Sequence, residues 1–196
     1  MKKQLIFSAL IAVAATATAA VGSAQAQSAN FTVEPTHTFV TFEARHFATS
    51  TNRGRFDKTE GTITLDRSAK RGTADINIDM ASINTGTAPF NTHLKGKDLF
   101  NAVEFPKANF VGDKFAFEGE KVTSVAGNLT MLGKSLPVTL TASNFNCYDS
   151  PLLKREVCGG DFETTITRSQ WGMGWGLAFG IPDKIRLLIQ VEAIKQ

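Results

Sequence analysis

Residues 73–80 read TADINIDM, and their alternation sets the fold class. On an extended chain successive side chains point to opposite faces, so Ala74, Ile76, Ile78 and Met80 fall on one side and Thr73, Asp75, Asn77 and Asp79 on the other. A helix cannot separate those sets. To either side the same alternation recurs at Val40, Phe42 and Ala44, at Ile63 and Leu65 after Gly61, and over 110–117. It returns at Val125, Gly127, Leu129 and Met131, at Val138, Leu140 and Ala142, and at Phe162, Thr164 and Ile166. A long last row holds Ile185, Leu187, Ile189, Val191 and Ala193, with Arg186, Gln190 and Glu192 opposite. Gly133 and Lys134 sit where a hairpin turn is needed. About eight strands with mostly short connections predict an all-β antiparallel meander. A sandwich and a closed barrel both accommodate it, and the barrel is favoured because closure removes exposed edges.

One segment, 87–101 (TAPFNTHLKGKDLFN), lacks the alternation. With Pro89 near its start and Leu94, Leu99 and Phe100 among its apolar residues, it predicts one or two short helical turns over a sheet edge or the barrel mouth. No repeat, low-complexity tract or linker divides the chain, so residues 27–196 are expected to form a single domain. Residues 1–26 carry a different grammar: Lys2 and Lys3, a run of apolar and small residues over 5–21, and the small-x-small triplet Ala24, Gln25, Ala26. They predict a signal peptide cleaved after Ala26, and with it a periplasmic or secreted protein.

The chain has 196 residues, 42% hydrophobic and 20% charged, with 21 Lys and Arg against 18 Asp and Glu. Those values exclude a collagen-like, disordered or disulfide-dense protein. Residues 1–26 contain two lysines and no acid, so the remainder is nearly neutral, 19 cations against 18 anions. It lacks the excess of basic residues that nucleic-acid binding requires. The odd feature is aromatic: 15 Phe against one Tyr and two Trp, with only Phe7 in the leading segment. In an oxidising compartment Cys147 and Cys158 are expected to form a disulfide, and they bracket the polar insert YDSPLLKREV, which reads as a loop between strands.

Catalytic chemistry finds little support. His37 and His46 lie on one extended stretch, up to about 30 Å apart, and cannot share a metal. His93 has no His or Cys at zinc-ligand spacing, so no metal or other cofactor is expected. His46 shares the apolar side of its strand with Val40 and Phe42, where a hydrogen-bonded core histidine is the plainer reading and one that orients a ligand the alternative. The glycines of WGMGWG at 171–176 are too closely spaced for a dinucleotide loop and precede no helix, which leaves a turn flanked by Trp171 and Trp175. There is no G-x-S-x-G elbow, no H-E-x-x-H and no nominated carboxylate pair, so no enzyme is expected.

A barrel of about eight strands either fills its own interior or holds one small ligand. Phe suits an apolar tunnel, and the near-absence of Tyr leaves few hydroxyls in need of partners. The alternating rows alone fit a solid core equally well.

Several stretches in a defined order carry a resemblance. HTFVTFEARHFATSTNRGRFDKTEGTITLD at 37–66, SINTG at 82–86, HLKGKDLF at 93–100, FPKANF at 105–110, GNLTMLGKSLPVTL at 127–140, and TITRSQWG with a closing strand ending VEA at 191–193 resemble the YceI-like family of bacterial polyisoprenoid-binding proteins. The resemblance implies a lipocalin-like antiparallel barrel, extracytoplasmic in members with a signal peptide, that holds an isoprenoid or another long-chain amphiphile. The family pattern H-x-x-V-x-F-x-x-x-H falls on His37, Val40, Phe42 and His46, and its H-L element on His93 and Leu94. Where members carry an Arg-Asp pair just before that element, this chain has Phe90, Asn91 and Thr92, which argues against a charged head-group contact there. Lys95, Lys97, Arg53, Arg55 and Arg168 are cations that an anionic head could meet, with solvated surface charge the plainer reading.

The expected function is a non-enzymatic carrier or reservoir for an isoprenoid, quinone or fatty-acyl lipid. Ligand contacts are expected at Val40, Phe42, His46, Ile76, Ile78, Phe110, Leu129, Leu140, Trp175 and Leu187. The alternatives are an envelope protein-interaction module with a filled barrel and an enzyme acting on isoprenoid lipids. A homodimer and a transient contact with the membrane surface are compatible with the first reading.

Overall fold

The computed structural model describes residues 28–196, so the expected signal peptide over 1–26 lies outside the described residues. Eleven strand segments follow in order: β1 (Ala29–Val33), β2 (Phe39–His46), β3 (Ser50–Phe56), β4 (Thr59–Asp66), β5 (Arg71–Asp79), β6 (Ile83–Asn84), β7 (Lys107–Glu118), β8 (Lys121–Met131), β9 (Lys134–Asp149), β10 (Glu156–Thr167) and β11 (Lys184–Lys195). A helix, α1 (Ala88–Lys95), lies between β6 and β7. The first six segments pair end to end as three broken strands, β1 with β2, β3 with β4, and β5 with β6. Together with β7 to β11 they make an eight-stranded, up-and-down antiparallel barrel. It closes along β11, which pairs with β10 on one side and with β1 and then β2 on the other.

The rows that alternate in the sequence are the strands. In β5, Ala74 and Ile78 are buried and Ile76 half-buried, while Thr73 and Asp75 face water. Met80 turns out of the strand into a short 3₁₀ turn but stays buried. Segment β3 (STNRGRF) carries no apolar alternation, and only Gly54 and Phe56 of its residues are buried. Opposed glycines bend the sheet: a Cβ on Gly127 would lie 2.1 Å from the Val111 carbonyl oxygen, beside the register shift that follows Gly112.

The two ends of the barrel differ. One end carries the turns at 47–49 and 132–133 and the long connections 85–106 and 168–183. Segment 87–101 forms α1, with Pro89 in its first turn, followed by turns. Phe100 then packs edge-on against Phe56 at 5.4 Å between ring centroids. Trp171, buried in the other long connection, donates its Nε1–H to the Leu129 carbonyl at 3.1 Å. The far end is bound by ion pairs, with Arg67 reaching Glu120 and Glu156, and Lys195 reaching Glu156.

The cysteine insert is a loop between two strands, shorter than the insert itself. The strands run past the cysteines through 148–149 and 156–157, so the loop is 150–155 and Cys147 stands directly opposite Cys158 in the β9–β10 ladder, joined by a disulfide. Strand pairing satisfies backbone groups that a long loop would have left to water. Replacing both cysteines by serine is expected to lower stability by about 2–3 kcal/mol while leaving the barrel signal in circular dichroism intact, measured by urea unfolding.

A second prediction concerns the seam. The β1–β11 ladder ends at Val33 with Ala193, and the β2–β11 ladder starts at Phe39 with Gln190. In the gap, the buried Thr38 hydroxyl donates to the Glu192 carbonyl at 3.1 Å and accepts from the Glu192 N–H at 3.1 Å. Thr38→Val keeps the shape and removes that exchange, so it is expected to cost about 1–3 kcal/mol in the same urea assay. Unchanged stability would show that the hydroxyl does not hold the seam.

Candidate functional site

The inward rows do not fill the barrel. They line a cavity of two lobes, an inner one of about 120 Å³ and an outer one of about 360 Å³ toward the end that carries α1. Together they fall within the size range of small-molecule pockets, about 300–1,000 Å³. Val40, Ile78, Leu129 and Leu187 line both lobes and form the waist between them. Phe31, Leu65, Val122 and Phe145 are among the walls of the inner lobe, where Thr38 and Thr59 supply the only side-chain hydroxyls among the described residues. Thr38 spends its hydroxyl on the seam, and the buried Thr59 Oγ1 has no partner among the described residues.

The outer lobe is apolar in most of its wall but carries a polar cluster. Phe42, Phe56, Phe90 and Phe100 supply rings, and His46, His93, Arg168 and Trp175 also line it. Arg168 is only 4% exposed. Its Nε donates to the Pro182 carbonyl at 2.9 Å and its Nη1 to the Met173 carbonyl at 2.7 Å, while Nη2 is buried without a partner among the described residues. Burial pushes the Arg168 pKa down from its ordinary value, opposed by the nearby Asp183 charge. The Asp183 carboxylate itself binds the Ser169 hydroxyl at 2.6 Å and the Ser169 N–H at 2.8 Å, and these bonds hold its pKa below the usual range. His93 meets Trp175 edge-on at 4.4 Å, a contact that joins α1 to the 168–183 connection, and its Nε2 is likewise buried and unpartnered.

All ten residues expected to contact a ligand stand on the walls of this cavity. Ile76, Phe110 and Leu140 line the inner lobe, Phe42, His46 and Trp175 the outer lobe, and Val40, Ile78, Leu129 and Leu187 both. Two expectations are corrected. His46 is not a hydrogen-bonded core histidine: it sits at the last position of β2, exposed at the rim, its ring 4.6 Å from that of Phe47. Arg168 is not solvated surface charge, because the connection after β10 folds its side chain inward. Arg53 and Arg55 are exposed instead and pair with Glu43 and Asp57. Lys97 is exposed and Lys95 half-buried beyond α1's apolar face. Cys147, Cys158 and Glu156 lie close together, but the sulfurs are bonded to each other and not free for a metal.

Other wall residues were not singled out by the alternation. Phe31 and Phe56 lie on short or polar strands whose neighbours gave little signal, although inward Phe in such a Phe-rich chain was a usable clue. The orphaned nitrogens of Arg168 and His93 carry no local sequence signal at all. They depend on connections folding back over the mouth.

Comparison with known proteins agrees with this architecture. A family model described as a YceI-like domain matches residues 31–193. The protein YceI of Salmonella newport is 30% identical over 199 residues, covering 100% of both chains. Among solved structures, Burkholderia cenocepacia BcnA superposes with a TM-score of 0.68 at 25% identity, covering 82% of this chain and 98% of that one. The Campylobacter jejuni YceI protein gives 0.65 at 25% identity, over 75% of this chain and 86% of that one. A polyisoprenoid binding domain from Saccharophagus degradans shares the fold, with a TM-score of 0.61 at 16% identity, covering 87% and 100%. With the family model spanning nearly all the described residues and a full-length relative at 30% identity, the chain belongs to the YceI-like family.

Proposed function

We propose that this protein is a non-enzymatic carrier or reservoir for a single long-chain amphiphile, a polyisoprenoid, an isoprenoid quinone or a related lipid, acting after export from the cytoplasm. The observation that carries the reading is the apolar two-lobed cavity enclosed by the barrel. A filled interaction module has no use for such a space, and burial of a lipid chain there gains about 0.8 kcal/mol per methylene before the costs of binding. The likeness to a solved polyisoprenoid binding domain supports the barrel that this reading needs. Export is supported by the pattern over 1–26 and by a disulfide of the kind that persists in oxidising compartments.

The ligand lies with its tail through the waist into the inner lobe and its oxygen-bearing head in the outer one. The polar atoms support this orientation. A buried donor without a partner costs about 1–3 kcal/mol, more when charged, and an acceptor oxygen beside Arg168 Nη2 removes that penalty. His93 Nε2 offers a second site for the same head. His46 at the rim offers a further polar contact, and the Val, Ile, Leu and Phe side chains of the wall act by apolar contact alone.

Organic extraction of the purified, exported form followed by mass spectrometry is expected to release one lipid per protein, a long chain ending in an oxygen-bearing group. A pure hydrocarbon would overturn the head-group placement, and protein that neither carries nor takes up lipid would overturn the carrier. A second expectation concerns length. Val40→Phe narrows the waist, so binding of the longest chains should weaken by about tenfold or more while chains short enough for the outer lobe bind as before, read by competition against a series of chain lengths. Equal loss at every length would place the tail elsewhere.

A further inference from the structure

Beside the mouth, three aromatic side chains face outward where burial would be expected. Phe47 is 54% exposed, Trp175 43% and Phe179 72%. They come from two separate connections that meet: a Cβ placed on Gly180 would lie 3.5 Å from the Phe47 ring. Trp175 belongs both to this patch and to the wall of the outer lobe, so the patch is continuous with the entrance.

The turn that carries Phe47 is unusual for its residues. The Thr49 N–H bonds the His46 carbonyl at 2.9 Å, and Phe47 and Ala48 both take positive φ, 47° and 56°. A turn with two successive residues at positive φ favours Asn-Gly, whose backbones adopt the left-handed region readily. Here the chain places a phenylalanine there instead and leaves it in water, against both backbone preference and the hydrophobic effect.

Cations stand at this end as well. Arg45, Lys97, Lys134 and Lys184 are exposed and Lys95 is half-buried, and none of the five is in an ion pair among the described residues, although Arg45 and Lys134 donate to the Ala48 and Gln170 carbonyls. Lys70, Lys121, Lys154 and Arg155 are exposed without an ion pair at the far end too, so it is the aromatics beside the entrance, in company with cations, that mark the mouth. Protruding aromatics with unpaired cations at the same end match an anionic lipid surface, where rings enter the head-group layer and cations meet phosphates.

We infer that the mouth end, through Phe47, Trp175 and Phe179, is a docking surface for an anionic bilayer, which sets the cavity entrance against the membrane from which a lipid is taken or to which it is returned. The inference rests on the carrier reading for its purpose, but not for its test. Flotation with vesicles of phosphatidylglycerol and phosphatidylethanolamine in equal parts is expected to recover the protein, and phosphatidylcholine vesicles or high salt to recover much less. The double variant Phe47→Asn with Phe179→Ser removes two rings that do not line the cavity, and Asn relieves the turn. Its partition onto the anionic vesicles should fall by at least about tenfold, with thermal stability equal or higher and lipid content after extraction unchanged. Wild-type protein that holds lipid but ignores both vesicles, or a variant that floats like wild type, overturns the docking surface alone. So does a wild-type dimer in sedimentation that the variant converts to monomer, since the patch is then an interface between copies. Protein that floats as expected yet holds no lipid supports the surface and removes the carrier reading.

Discussion

Everything distinctive in this molecule depends on closing the sheet along β11. That strand runs twelve residues, bonded to β10 along one edge and to β1 and β2 in succession along the other. Closure removes free strand edges, so the long apolar rows face inward with no unpaired ladder beside them. It also decides the interior. Eight tilted strands enclose a space that side chains of ordinary size nearly fill. Small changes in their bulk then set whether a core or a vessel results. The seam itself is irregular: the chain breaks between β1 and β2, and the Thr38 hydroxyl together with the Glu34 N–H carries the ladder across the break at Glu192.

Much of the fold was legible because the barrel has a dry face and a wet face. The rows at 73–80, 125–131 and 185–193 alternate cleanly since inward positions must be apolar and outward ones need not be. β3 escaped because it pairs at the mouth, where a strand meets solvent on both sides and its residues carry no burial pattern until Gly54 and Phe56. The insert between the cysteines reads as a loop from Pro151 and its mixed charges, and 150–155 is one, but the polarity hides that Tyr148, Asp149, Glu156 and Val157 at its ends pair as strand. The apolar wall of the site was legible to the same extent as the strands, and all ten expected contacts lie on it. Its polar corner was not. Arg168 is buried by a connection whose path depends on Trp171 reaching Leu129 and on Asp183 capturing Ser169, contacts between positions distant in sequence.

The distribution of polarity inside the barrel is what turns a void into an oriented site. A uniformly apolar cavity holds a chain in either direction. Here the inner lobe has hydroxyls and no charge, while the outer lobe has a guanidinium desolvated by its own fold. The departure at Phe90, Asn91 and Thr92 fits this division of labour, since Phe90 adds a ring to the outer wall and Asn91 is turned to the Thr85 N–H at 2.8 Å, stabilising the approach to α1.

The contact between His93 and Trp175 couples two parts of the chain. It is the place where α1 and the 168–183 connection touch across the entrance, and each side chain also walls the outer lobe. Two connections distant in sequence are thereby tied into one stretch of wall, so a substitution at either ring is felt by both.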